Sequence, residues 1–214
     1  MSPLQTPFLT DTWIAAPWSE YLQTIANPAY KKAKGYYYQG HMRIEMLPVG
    51  FDHGTDHSII AFAINLFCVL KSIPLMLPDN CSYRKEGVQE CQPDLSCYLG
   101  DRAQAIPKNT NIVNLNQYPA PALVVEIAKT TLLDDLGNKR SLYEGLGVAE
   151  YWVVDVQNSQ ILAYAMSDRG SQRIDISQVL PGLAIAVLEE ALHRARQADQ
   201  STVGMWLMTQ FQQP

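Results

Sequence analysis

Two apolar runs, 123–128 (LVVEIA) and 151–156 (YWVVDV), flank a segment of helical periodicity at about 134–146, and this order leaves few folds open to the chain. Runs of β-branched and aliphatic residues read as strands buried on both faces. Joined through a helix, two such strands become parallel neighbours by a right-handed crossover, so the sheet they share must be covered on both sides. The expected class is α/β of the α+β type.

Glu126 does not belong in such a strand on packing grounds. An ionised carboxylate there costs several kcal/mol unless something pairs with it. The partners that relieve the cost are a divalent metal, a lysine, or a second carboxylate sharing a proton or a metal, and hydrolytic sites are built from the same groups. Strand alternation puts Glu126 on one face with Val124 and Ala128 and turns Lys129 the other way. A turn of about 100° per residue gathers Leu136, Lys139, Tyr143 and Leu146 on one helical stripe. Lys139 then either snorkels to the helix edge or reaches Glu126 with its ammonium. Asp94 follows Pro93 at the start of DLSCYL. It reads either as a turn residue bonding its own backbone or as a second carboxylate at a neighbouring strand end. Two such carboxylates can bind one Mg²⁺, or Mn²⁺, which polarises a phosphate oxygen and activates water while a lysine orients that water.

The 214 residues, 47% of them hydrophobic, suffice for a sizeable core. A single domain over 1–214 is expected, with its core at about 17–190 and a C-terminal helix and tail at 188–214. A net charge of −5 argues against a broad basic field of the kind non-specific nucleic-acid binding uses. A local patch remains open: Lys31, Lys32, Lys34 and Arg43 surround Tyr36, Tyr37 and Tyr38. They read either as a phosphate-holding and base-stacking patch or as an edge strand with tyrosines half in the core and lysines in solvent. Cys68, Cys81, Cys91 and Cys97 form no CxxC pair and lack a histidine at zinc-ligand spacing, so free thiols are expected, with Cys81 and Cys91 placed to face each other across a hairpin. The first residues show no basic-then-apolar leader, and no run approaches the roughly 20 apolar residues of a membrane span. The expectation is a soluble, cytoplasmic protein.

Elsewhere, 17–25 reads as a short amphipathic helix, 35–46 as two strands around Gly40, and 48–57 as a loop. An apolar helix covered on two faces is expected from about 56 to 73. Strands at 75–81 and 92–98 flank a polar insert, SYRKEGVQE, and 101–117 reads as a loop. Hairpin strands are expected at 161–165 and 173–176 and a closing helix at 188–200, while 201–214 carries no clear pattern.

The series Gly40 in YYYQG, His57 at a helix start, Pro93-Asp94-Leu95, VVEI around Glu126, DDLGNK with Tyr143, and EYWVVD resembles a known family. It is similar to the PD-(D/E)XK nuclease superfamily, and more closely to a large bacterial family of restriction-endonuclease-like proteins. The resemblance implies a restriction-endonuclease-like core over about 17–190, a mixed central sheet flanked by helices, with Asp94 and Glu126 as metal ligands, and a Mg²⁺-dependent endodeoxyribonuclease. The superfamily's usual lysine follows two residues after its Glu, where this chain has Ala128; in the bacterial family it has moved to the next helix, which matches Lys139. Glu45, His57 and Tyr143 are implied as supporting residues, DNA as the partner, and a two-fold homodimer as an arrangement common where both strands are cut. Two other readings stand beside it: a nuclease-fold binding or regulatory protein without turnover, which the acidic net charge suggests, and a hydrolase of a smaller phosphoester with a closed pocket.

Overall fold

The computed structural model describes residues 10–46 and 50–212. Twelve strands among them form two six-stranded mixed sheets. The first runs β1 (Ile14–Ala15), β3 (His41–Glu45), β2 (Lys34–Tyr38), β6 (Gln89–Cys91), β5 (Ser82–Lys85), β8 (Ile112–Asn114), and only its β5–β8 pair is parallel. The second runs β12 (Gly170–Arg173), β11 (Gln160–Ser167), β10 (Glu150–Asp155), β9 (Leu123–Ala128), β7 (Leu95–Leu99), β4 (Leu75–Met76), and only β9 and β10 are parallel. Helix α1 (Trp18–Ile25) lies on the first sheet. Helices α2 (Phe51–Leu70), α5 (Ile185–Ala195) and α6 (Gln200–Gln212) pack together and against the second. Between β9 and β10, α3 (Leu132–Asp134) passes through a π-helical turn, Asp135–Lys139, into α4 (Arg140–Gly145).

All six residues of β9 are buried, as the unbroken apolar run predicts. Leu123, Val125 and Ile127 meet Ile60, Ile64 and Phe67 of α2 and Leu188 and Leu207 of α5 and α6. Val124 and Ala128 face the other way, into a layer with Tyr36, Tyr83, Tyr98 and Tyr143. The face that carries Glu126 is therefore covered by the first sheet and α4. The mixed sheet expected from the sequence is present as two mixed sheets, because 82–90, expected as a polar insert, is itself the hairpin β5–β6 and pairs with β2 in the first sheet. Tyr83, Gln89 and Cys91 share one face of the hairpin and are buried, Glu90 is buried beside Arg84 on the other, and Lys85 at the end of β5 is exposed.

Other expectations shift for local reasons. Helix α2 already runs through 51–57, where a loop was expected, while Pro48 and Val49 lie outside the described residues. Its buried residues Asp56, Ile59, Ile60, Ala63, Ile64, Phe67 and Cys68 form one broad stripe, and Phe62 and Val69 stay exposed, so it is not covered on two opposite faces. At 20 residues with a mean hydropathy of 1.2 it is long and apolar enough to cross a membrane, contrary to expectation, although its stripe is spent on the core. The 75–81 strand shrinks to β4, the 101–117 loop contains β8, the last hairpin strand lies at 170–173, and 200–212 forms α6. The four cysteines are free.

Gly35 has a steric reason to be glycine: a Cβ there would lie 2.5 Å from the Tyr21 hydroxyl of α1. The β2–β3 turn uses Gln39 and Gly40, both at positive φ, as a two-residue hairpin requires.

The helical layer is tied by Asp56, wholly buried, whose two oxygens accept from Arg196 Nη1 and Nη2 at 2.6 Å each; Nη2 also donates to the Val156 carbonyl at 3.0 Å. Truncation at Arg196→Ala leaves the carboxylate unpaired. Because the guanidinium is about one-third exposed, the expected loss is at the lower end for a broken buried pair, about 2–3 kcal/mol in urea denaturation. A loss under about 0.5 kcal/mol, the surface ion-pair range, would show the pair to be incidental.

Candidate active site

Strand register brings the two carboxylates together. In the antiparallel β7–β9 pair Leu95 faces Val125, so one step outward Asp94 comes level with Glu126. Asp94 Oδ2 accepts the Ile127 backbone N–H at 2.7 Å, which fixes its carboxylate beside β9. From the other sheet, period-two alternation and the β2–β3 register turn Lys34, Tyr36, Arg43 and Glu45 to the same side, with Lys34 opposite Glu45 and Tyr36 opposite Arg43. These inward residues meet the end of β9. The π turn supplies the last group: its wider winding sets Asp135 and Lys139 side by side, both buried. A regular stripe from Asp134 was expected; it correctly turns Lys139 and Tyr143 inward but leaves Asp135 unforeseen.

Lys139 Nζ lies 2.9 Å from Glu45 Oε1, 2.9 Å from Asp135 Oδ1 and 3.7 Å from Glu126 Oε2, and 4.3 Å above the centre of the Tyr36 ring. Burial disfavours its charge, but Glu126, Asp135 and Glu45 outweigh that and hold the ammonium protonated. Glu126 Oε1 accepts from the Tyr143 hydroxyl at 2.6 Å, with the Tyr36 hydroxyl at 3.3 Å. Burial pushes the Glu126 carboxyl up to about 8; Lys139 opposes the rise, while Asp94 and Asp135 add to it. Asp94 is different. Burial works against its ionisation too, yet the His53 contact at 3.4 Å and Lys34 Nζ, 2.5 Å from Oδ1, outweigh it and hold Asp94 below the usual carboxylate range. For Glu45, burial is likewise overcome by Lys139 and Arg43, and its carboxyl is lowered.

Asp94, Glu126 and Lys139 all line one half-open pocket of about 330 Å³, with Lys34, Glu45, His53, Lys129 and Thr131 among its walls. His57, expected as a supporting residue, stands back from it: its Nε2 lies 3.2 Å from Asp79 Oδ1 and 3.3 Å from the Asp94 carbonyl. His53, one helical turn earlier on the same face, lines the pocket instead. Lys129 pairs with Asp52 at 2.7 Å and not with Glu126. The basic patch expected around the tyrosines is divided. Lys34 is bound to Asp94, and Arg43 is buried against Glu45 and Asp134, which leaves Lys31 and Lys32 in solvent. Neither is β2 an edge strand, since β3 and β6 flank it.

Lys34, Tyr36, His53 and Asp135 were not singled out as site residues by sequence. A signal existed for the first two, because KGYYY followed by a two-residue turn and HMRIE places Lys34, Tyr36, Arg43 and Glu45 on one hairpin face. For His53 the i, i+4 spacing to His57 was the available cue.

Among the described residues, no group of three or more His, Cys, Asp or Glu side chains converges as a ready-made metal cage. The donor chemistry nevertheless fits a hard divalent cation, which takes carboxylate oxygens and retains several waters. Glu126 is a buried carboxylate whose charge is undercompensated, and a positive group, the Lys34 ammonium, already stands on Asp94 Oδ1.

A crystal structure of a "putative nuclease belonging to DUF820 from Anabaena variabilis" shares the fold, with a TM-score of 0.52 at 16% identity over 89% of this chain and 98% of that one. No curated protein matches the chain. The Uma2 family, described as "Putative restriction endonuclease", matches residues 18–200, and the chain belongs to that family.

Proposed function

We propose that this protein is a nuclease that hydrolyses phosphodiester bonds in DNA with a divalent cation, Mg²⁺ or Mn²⁺, held by Asp94 and Glu126. The observation that carries the reading is the convergence of these two carboxylates and Lys139 on one half-open pocket. Membership of a restriction-endonuclease family and the nuclease-like fold support it, and such families generally use divalent metals. A half-open pocket suits a phosphate within a polymer better than a closed one would.

The bound cation would polarise the phosphate and acidify a water. The chain's own residues do the rest. Asp94 is ionised and fixed through Ile127 N–H, so it presents Oδ1 to the pocket. Tyr143 clamps Oε1 of Glu126 and leaves Oε2 on the Lys139 side. Lys139 stays charged, so it cannot take a proton; it acts as a fixed positive charge that orients Glu126 and offsets charge developing at the phosphate.

The test is cleavage of plasmid and single-stranded DNA by the purified chain with Mg²⁺ or Mn²⁺, compared with Asp94→Asn. The variant is expected to lose at least about 10²-fold in rate, the scale of one lost electrostatic contact. A wild-type protein that binds neither ion and nicks neither substrate would sink the reading. DNA binding that survives without cleavage in either protein would support the regulatory alternative.

A further inference from the structure

Two buried lysines reach the pocket, and their ammonium groups are committed very differently. Lys139 is enclosed: Glu45 and Asp135 lie 2.9 Å from its Nζ, Glu126 3.7 Å and the centre of the Tyr36 ring 4.3 Å, and only 1% of its side chain is exposed. Lys34 enters from β2 on the opposite side, where, among the described residues, its Nζ is paired with Asp94 Oδ1 alone. An ammonium has three donors, and Lys34 is one of the residues that line the pocket.

The oxygen it holds is the one a cation would use. Asp94 Oδ2 is engaged by the Ile127 N–H at 2.7 Å and faces His53 Nε2 at 3.4 Å, which leaves Oδ1 as the oxygen available to a metal. An ammonium and a divalent ion cannot share that close position without strong repulsion. Lys34 stands at the first residue of β2 on a flexible four-carbon stem, so its head can move without disturbing the strand.

We propose that Lys34 is a movable counter-ion of the active site: it occupies the cation position on Asp94 while no divalent ion is bound and, once displaced, is the lysine that faces the substrate phosphate. The first half stands on the Lys34–Asp94 geometry, and the second rests on the hydrolase reading above. Lys139 and Lys34 then have separate tasks, one holding Glu126 in place and the other answering the ligand.

The experiment is calorimetric titration of Mn²⁺ into the cation-free full chain for wild type, Lys34→Met and Lys34→Gln, with plasmid cleavage at saturating Mn²⁺. Removing the competing charge should tighten Mn²⁺ binding at least about tenfold, a usual size for coupling between two ligands. Cleavage should at the same time slow by about 100-fold. A purely structural lysine would weaken both together. Unchanged or weaker Mn²⁺ affinity in a variant that melts cooperatively overturns the counter-ion role, and cleavage at the wild-type rate overturns the phosphate contact. Lys34→Gln keeps a polar group against Asp94 and decides the matter if Lys34→Met does not fold. If wild type binds Mn²⁺ yet cleaves nothing, the hydrolase reading and the phosphate contact fail together, and the counter-ion role is judged on affinity alone.

Discussion

Glu126→Gln is expected to abolish cleavage, by about 10³-fold or more, while the protein stays folded and gains stability at alkaline pH. In the cation-free protein burial keeps the carboxyl protonated up to about pH 8, and an amide closely mimics that neutral form. The sign follows from proton counting. Between about 4.5 and 8 the folded state holds a proton that the unfolded state has lost, so Glu126 makes stability fall as pH rises through that window. Asp94 and Glu45, with lowered values, act oppositely: their contribution is present above the ordinary carboxylate range and is lost only as pH falls below it. Urea denaturation in chelator at pH 5, 7 and 9 should therefore show a declining wild type and a flatter Glu126→Gln. Cleavage by the variant at the wild-type rate, or identical pH slopes for the two proteins, would remove Glu126 from the role given to it.

Lys139→Met should have the largest effect on stability. The substitution keeps the apolar stem but leaves Asp135 without its cation in a buried site, and Glu45 with Arg43 alone among the described residues. Breaking a buried pair from one side costs about 3–5 kcal/mol. Adding Asp135→Asn should recover part of that loss, since the amide removes one uncompensated carboxylate. The readout is chemical denaturation of the single and double variants at neutral pH. A single-variant cost below about 1 kcal/mol would mean that Lys139 behaves as a surface lysine despite its burial.

Much of the second sheet was legible in the sequence because its signals are local. The run around Glu126 is buried on both faces, the 151–156 run is its parallel neighbour with register Val153 to Glu126, and the segment between them is helical. Alternation correctly turned Lys129 away, and helical spacing turned Lys139 and Tyr143 inward, since both follow from backbone geometry within one element. The first sheet was harder to read. The β5–β6 hairpin is short and polar, and it becomes a sheet member only because β2 and β8 offer it pairing partners just over 50 residues away on one side and 30 on the other.

By itself the sequence determined that a carboxylate sits in a buried strand, that a lysine lies on the adjoining helix's inner stripe, and that a Pro-Asp step precedes a neighbouring strand. Only the tertiary structure decided how these charges balance. It placed Lys34 on Asp94, Tyr36 under Lys139, Asp135 beside it through a π turn, and His53 in place of His57 at the pocket wall. The reason is physical: periodicity reports which face a residue occupies within its own element, whereas the sharing of charge depends on which faces of distant elements come within about 4 Å, where Coulomb energies in a low dielectric become decisive.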